Sequence, residues 1–413
     1  MSYFHLNLIL KGKLTVCCLL MLSVIPLNAQ REAKQIGDFK ESISLNEHLR
    51  GTKRTLQYRP DGDEFVCVNG KNRYTRALYG SHSPFRVETS DRPVFAFYNN
   101  GRGGNISFKV ILRDGTELAL DCTGHCESRY SAGKRTYYLT DPSWGKGELR
   151  ISVLALADMD GAIWRFSPSN MPKGAILRWQ HGGATGKRLS RNGDMGVDPV
   201  DCFELPAEAT DLVTGELALQ KEVYLVRGEV PEGYNVRKLY QQAEAASLAL
   251  ASHLKIETPD PYLNTLGGAL VAAADGIWDG QVWLHGAIGW RMPLSGWRAG
   301  YTGDALGWHD RARTHFDAYA ASQVTDVPNT IPHPAQDSTM NLARSEKRWG
   351  TPQYSNGYIC RNPERNNQMH HYDMNLCYMD ELLWHFNWTG DTAYVRKMWP
   401  VITRHLAWEK LNY

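Results

Sequence analysis

The chain has 413 residues, enough for two or three domains that each bury a core. Its 46 Lys and Arg nearly balance 44 Asp and Glu, leaving a formal charge of +2, so no basic surface suited to nucleic acid or an acidic membrane is expected.

In chain order, the first element is an export signal. Lys11 and Lys13 precede the apolar run "LTVCCLLMLSVIPL", and "LNAQ" offers small residues for cleavage after Ala29, so residues 1–29 read as a signal peptide and the protein as periplasmic or secreted. The run is shorter than the ~20 residues that span a bilayer, so no membrane partner is expected beyond that signal. A lipoprotein using Cys17 or Cys18 is the weaker alternative. Six cysteines then remain, Cys67, Cys122, Cys126, Cys202, Cys360 and Cys377, expected as buried thiols or one local disulfide. Cys122 and Cys126 flank His125, but no second pair follows at zinc-site spacing.

Residues 30–235 read as an antiparallel β-sandwich. "ISFKVIL" puts Ile106, Phe108, Val110 and Leu112 on one face, "RDGT" supplies a turn and "ELALD" returns. "GELRISVLALADMDGAIWRFS" repeats that design around "DMDG". With "EFVCVNG", "PVFAFYNN", "KRTYYLT", "GAILRWQ" and "ELALQKEVYLVRG", about ten strands are expected. "GGATGKR" near residue 185 has the wrong glycine offset and Arg188 in place of a hydroxyl residue, so it reads as a sandwich loop and not a phosphate loop.

Residues 236–257 read as a linker, with a helix over 236–254 that ends before Pro259 and Pro261. Residues 258–413 hold ten of the thirteen Trp and show four helical stretches, at 260–280, 303–322, 370–390 and 391–410. "WTGD" joins the last two, with Gly390 as a stop and Asp391 as a cap.

A sandwich, a linker helix and aromatic helical hairpins in that order resemble the six-hairpin glycosidases, and especially their α-L-rhamnosidase-like branch. There a motif Arg-x-Gly-Trp-Thr-Gly-Asp-Ala opens the catalytic region, and "RAGYTGDA" at 298–305 is similar to it, with Tyr301 for Trp. The resemblance implies a multidomain β plus α protein: an N-terminal antiparallel sandwich and an (α/α)6 toroid. It implies a glycoside hydrolase acting on a complex polysaccharide or its oligosaccharides by carboxylate acid/base chemistry, without cofactor or metal. The branch carries an acidic residue just before that Arg, where this chain has Trp297, so only Asp304 carries over. Four helices cannot complete six hairpins, so the toroid is expected to be incomplete and the second carboxylate to be absent. A polysaccharide lyase, and a non-catalytic carbohydrate-binding or inactive truncated form, are the alternatives.

The candidate residues cluster around 296–312, which carries four Gly, Trp297, Tyr301, Trp308, Arg298 and Arg311. Asp304 and Asp310 are the candidate catalytic carboxylates, because glycoside hydrolysis needs two. Asp304 is expected at a helix start, as a base, a hydroxyl-binding residue or a cap. On a helix from Gly303, Asp304, Trp308, Arg311 and His315 would share a face, with His309 and Asp310 pointing elsewhere and Asp310 in an ion pair with an Arg. Trp290, Trp297, Tyr301 and Trp308 offer flat faces to a sugar, and Arg291, Arg298 and Arg311 offer forks to hydroxyls or a uronate. His371, Asp373 and Asn375 in "NNQMHHYDMN" are expected near the same mouth; a His-x-Asp iron site is the lesser reading. Glu381 and His385, spaced i and i+4, read as an exposed helix pair, since Asp380 replaces the His that a metalloprotease helix needs.

Overall fold

Alternating apolar residues, as in Ile106, Phe108 and Val110, carry the first half of the chain into two antiparallel sheets. The computed structural model describes residues 57–71, 74–99, 102–182, 212–286, 291–296, 298–325, 330–332, 352–354, 356–363 and 374–412, and Tyr58–Tyr413 forms one unit. The strands are β1 (Arg59–Asp61), β2 (Glu64–Val68), β3 (Tyr74–Leu78), β4 (Arg86–Ser90), β5 (Phe95–Asn99), β6 (Arg102–Ile111), β7 (Glu117–Ala119), β8 (His125–Ser131), β9 (Lys134–Thr140), β10 (Glu148–Ala155), β11 (Gly161–Ser169), β12 (Ile176–Gly182), β13 (Leu212–Ala218) and β14 (Val223–Gly228). One sheet runs β1-β2-β8-β9-β10-β11-β14 and the other β13-β12-β6-β5-β4-β3, with β7 also on β6.

The hairpin expected at "RDGT" is present: Ile111 pairs with Glu117, and the Leu112 amide donates to Thr116 O at 2.9 Å. Ile106, Phe108 and Val110 are buried and Leu112 is partly so. "DMDG" likewise joins β10 to β11, with Ala155 opposite Ala162. "ELALQKEVYLVRG" departs from expectation. It is split between the two sheets, its first part lying on β12 and its second on β11. The sheets share one core in which Trp164 meets Phe95 and Phe97 edge-on at 5.5 and 5.8 Å. Among the described residues Cys67, Cys126 and Cys360 are buried, Cys377 is half-buried and Cys122 is exposed.

Six helices follow among the described residues: α1 (Val236–Ala251), α2 (Pro261–Gly276), α3 (Gly300–Ala305), α4 (His309–Ala320), α5 (Met374–Thr389) and α6 (Thr392–Asn412). A short ribbon pairs β15 (Thr330–Pro332) with β16 (Pro352–Tyr354). The protein is therefore mixed β and α, strands first. Helix α1 lies on the outer face of β10 and β11, packing Leu239, Tyr240 and Ala243 on Leu154, Leu156 and Ile163. Helix α2 starts at the cap Asp260, whose Oδ1 accepts the Tyr262 amide at 2.8 Å, with Pro261 in the first helical position. "WTGD" behaves as read: Gly390 N donates to Phe386 O, and Asp391 Oδ1 takes the amides of Ala393 and Tyr394 at 3.0 Å.

A second core joins α4, α5 and α6 around Trp283, Phe316, Tyr378, Leu382 and Met398. His315 lies in it, 1% exposed, with Nδ1 accepting the Trp283 amide at 3.2 Å. Burial pushes its imidazole down to about 3. A folded-state value below the unfolded 6.5 means that this contribution to stability is present above 6.5 and is lost as pH falls toward 3, at about 1.4 kcal/mol per pH unit. The urea midpoint is expected to fall between pH 6.5 and 4, more gently in His315→Gln; equal slopes in the two proteins would exclude His315 as the cause.

The outer surfaces of α5 and α6 are unusually apolar. Leu376, Leu383, Trp384 and Trp388 on α5, with Trp399 and Leu406 on α6, are each about half exposed. Among the described residues no helix is long and apolar enough to cross a membrane.

Candidate active site

The glycine-rich segment does not run as one helix. Gly307, at φ +74°, ends α3 and restarts the chain as α4 at His309. Asp304 consequently sits in the last turn of α3, not at a helix start, and the helix-start account of it is corrected. The chain reversal also brings His309 back onto Asp304, Nδ1 to Oδ1 at 2.7 Å, where an unbroken helix would have turned it away.

Three helices build the cluster. From α5, His385 Nδ1 lies 2.9 Å from both Asp304 oxygens. Asp304 is 4% exposed and His385 fully buried, whereas the His309 side chain is 41% exposed. A carboxylate accepts, so both imidazoles donate through Nδ1–H, and His309 is left with Nε2 as its free proton-transfer position. One α-helical turn of α5 earlier, Glu381 is 1% exposed, and it holds the start of α3: Oε1 accepts the Arg298 amide at 2.5 Å and Oε2 the Gly300 amide at 2.9 Å. Arg298 adopts φ +65° to make that bond. Gly300 is required by close approach, since a Cβ there would collide with Glu381 Oε2. Burial pushes the Glu381 carboxyl up to about 8, against the opposing pull of its two backbone donors.

Asp380 lies on the exposed side of α5 and accepts a short hydrogen bond from the Tyr301 hydroxyl. Burial and the neighbouring Asp380 charge raise the Tyr301 phenol, which therefore keeps its proton and remains the donor. Tyr301 and Asp304 are three residues apart on α3, about 4.5 Å of rise. The segment 298–304 and the segment 380–385 thus lie side by side with three carboxyl groups between them.

Glu381 and His385 are the residues that sequence reasoning missed. They were expected as an exposed pair, and the structure buries both. The signal that was available is the apolar outer face of α5, which leaves its polar i, i+4 pair to face inward.

The other candidates are placed as follows. Asp310 is exposed on the first turn of α4, 3.7 Å from Arg313, the ion pair expected of it. Arg291 donates to the carbonyls of Gly276, at 3.0 Å, and of His82 and Trp278, so it ties loops together. Arg298 is exposed. Trp308 is half-buried under the Arg311 guanidinium, 4.4 Å from the ring centroid. Asn375 is fully buried and clamps Ile359, taking its amide at 2.6 Å and donating to its carbonyl at 3.0 Å, which gives it a different job from binding sugar hydroxyls. Trp290, Trp297, His371 and Asp373 lie outside the described residues, as does nearly all of "GGATGKR". Among the described residues no three His, Cys, Asp or Glu are grouped to hold a metal ion.

Comparison with known proteins adds little to this geometry. A family described as "Domain of unknown function (DUF4450)" matches residues 100–230, the sandwich from β6 through β14. No curated protein matches the chain. Among solved structures the chain is similar to a bacterial glucoamylase crystallised with acarbose, at 9% identity and TM-score 0.40, over 74% of this chain. The match spans 56% of the glucoamylase chain.

Proposed function

We propose that this protein is an exported glycoside hydrolase of the six-hairpin type, acting on a polysaccharide or its oligosaccharides, with α2 to α6 as part of an (α/α)6 toroid. The observation that carries the reading is the convergence of Asp304, Asp380 and Glu381 beside an Arg- and aromatic-bearing loop. Glycosidic cleavage needs a proton donor for the leaving oxygen and a carboxylate for water or for direct attack. Asp380, exposed and steadied by Tyr301, suits the carboxylate. The His309 imidazolium, oriented by its Nδ1–H on Asp304, can give its Nε2 proton to the leaving oxygen, and the neutral ring left behind can take a proton from the attacking water, the carboxylate-imidazole logic of other hydrolases turned to a glycosidic oxygen. Asp304 then acts through His309. Arg298, Trp308 and the loop residues Trp290, Trp297, His371 and Asp373 would hold the sugar, and the exposed Trp384, Trp388 and Trp399 would be covered by further helices of the toroid.

The test is hydrolysis of a panel of aryl glycosides and plant and microbial oligosaccharides, with Asp380→Asn as the control. Reducing-end release by the native chain, lost in the variant, is expected. Release of an unsaturated, ultraviolet-absorbing product would make the protein a lyase. A second reading has its own support, the burial of Asp304 with both oxygens engaged: binding of glycans without turnover in any of the panel would favour a carbohydrate-binding protein.

A further inference from the structure

A hollow of about 210 Å³ lies between the sandwich and the helices, lined by Arg311 of α4 and by none of Asp304, His309, Glu381 and His385. It exists because the elements around it present small side chains. Ala155 and Ala157 come from β10 and the turn beyond it, Ala243 and Ala246 from α1, and Ala272 from α2. Larger residues at these positions would close the space, as they do in the neighbouring core of Leu154, Ile163 and Tyr240.

The polar part of the lining is built. Asp275, 9% exposed, closes α2, and its Oδ1 takes His82 Nε2 at 3.2 Å and Arg311 Nη1 at 2.7 Å. Burial alone would raise the Asp275 carboxyl, but the bonds from His82 and Arg311 outweigh it and hold the group below its usual range, ionised. Arg311 is itself fixed, stacked on Trp308 and 5.7 Å from the Trp278 ring. The lining therefore sets an anchored carboxylate beside an anchored guanidinium among small apolar side chains, with Tyr79, Ser247 and Leu250 also on it.

We infer that this hollow is a second binding site, for one neutral polyhydroxylated ring or polyol of monosaccharide size. The charges of Asp275 and Arg311 balance, so a charged ligand gains little net attraction. A hydroxyl both donates and accepts, and adjacent hydroxyls can give a hydrogen to Asp275 while taking one from Arg311. The C–H face of such a ring packs on the alanines. The volume is below the ~300–1,000 Å³ of drug-sized sites and well above that of a single water, which sets the size of the ligand. The site draws on the loop after β3, on β10, and on α1, α2 and α4, so an occupant would pin the helices to the sandwich. It does not depend on the protein being a hydrolase.

The test is calorimetric titration of the full chain with L-rhamnose, D-glucose and glycerol, with inorganic phosphate as the charged comparison. Ala246→Leu projects a larger side chain into the hollow from an exposed position on α1, where leucine is nearly as good a helix former, and circular dichroism checks its fold. At least one neutral compound is expected to bind, about tenfold or more weakly in Ala246→Leu and more weakly in His82→Ala. No binding by any neutral compound, binding unchanged in Ala246→Leu, or binding of phosphate alone would each overturn the inference.

Discussion

Glu381→Ala is expected to cost the folded protein about 3–5 kcal/mol and to release α3 from α5. Helix α3 has six residues, too few to be stable unaided. Its start is held by the Glu381 carboxyl, which satisfies the amides of Arg298 and Gly300. Alanine would leave the buried Gly300 amide and the part-buried Arg298 amide without their acceptor and open a void where the side chain stood. Chemical denaturation should show the loss, and proteolysis should cut first near residues 296–308. A loss under 1 kcal/mol would mean that water replaces the carboxyl and that Glu381 does not hold the segment.

Glu381 also has a pH signature. Its folded-state value of about 8 lies above the unfolded 4.5, so the stability it contributes is fully present below 4.5 and is lost as pH rises through 8. Glu381→Gln removes this titration. The stability difference between native protein and variant is expected to move by a few kcal/mol in the variant's favour between pH 5 and pH 8.5. A constant difference would show that the two backbone donors keep the carboxylate ionised throughout.

The sandwich was legible because a period of two survives tertiary packing: Ile106, Phe108 and Val110 face inward whatever else the sheet does. The crossing of β13 and β14 to different sheets was not legible, since a four-residue link looks alike whether its strands pair or part. The helices were found, but not the break at Gly307, because one glycine in a periodic run is compatible with a continuous helix. That break decides the site, since it turns His309 onto Asp304. Helix α5 misled for another reason. Its outer face carries Leu376, Leu383, Trp384 and Trp388, and its inner face mixes Tyr378, Met379 and Leu382 with Glu381 and His385, so the helix is apolar on both sides and gives no amphipathic cue to which polar residues turn inward. Polar residues at i, i+4 on such a helix deserve an inward reading when their alternatives on the other face are aromatic.

Asp304→Asn is expected to lower kcat by about 10²–10⁴-fold while leaving the chain folded. The amide has nearly the shape of the carboxylate, so the packing of His385 among Phe316 and Tyr394 is kept. What changes is the partner of two imidazoles. Asparagine offers one acceptor and one donor group where the carboxylate accepted from both His309 and His385. One ring must therefore rotate or exchange its tautomer, and His309, the more exposed, is the freer to do so. If His309 is the proton donor, its loss of orientation shows as a lower kcat with KM little changed. If Asp304 only braces α3 against α5, the variant loses stability in chemical denaturation while the kcat of its folded fraction is unchanged. His309→Ala separates the two further: it removes the exposed imidazole but leaves the buried Asp304–His385 pair, so a fall in kcat as large as that of Asp304→Asn assigns the chemistry to His309, and an active His309→Ala removes it from the mechanism.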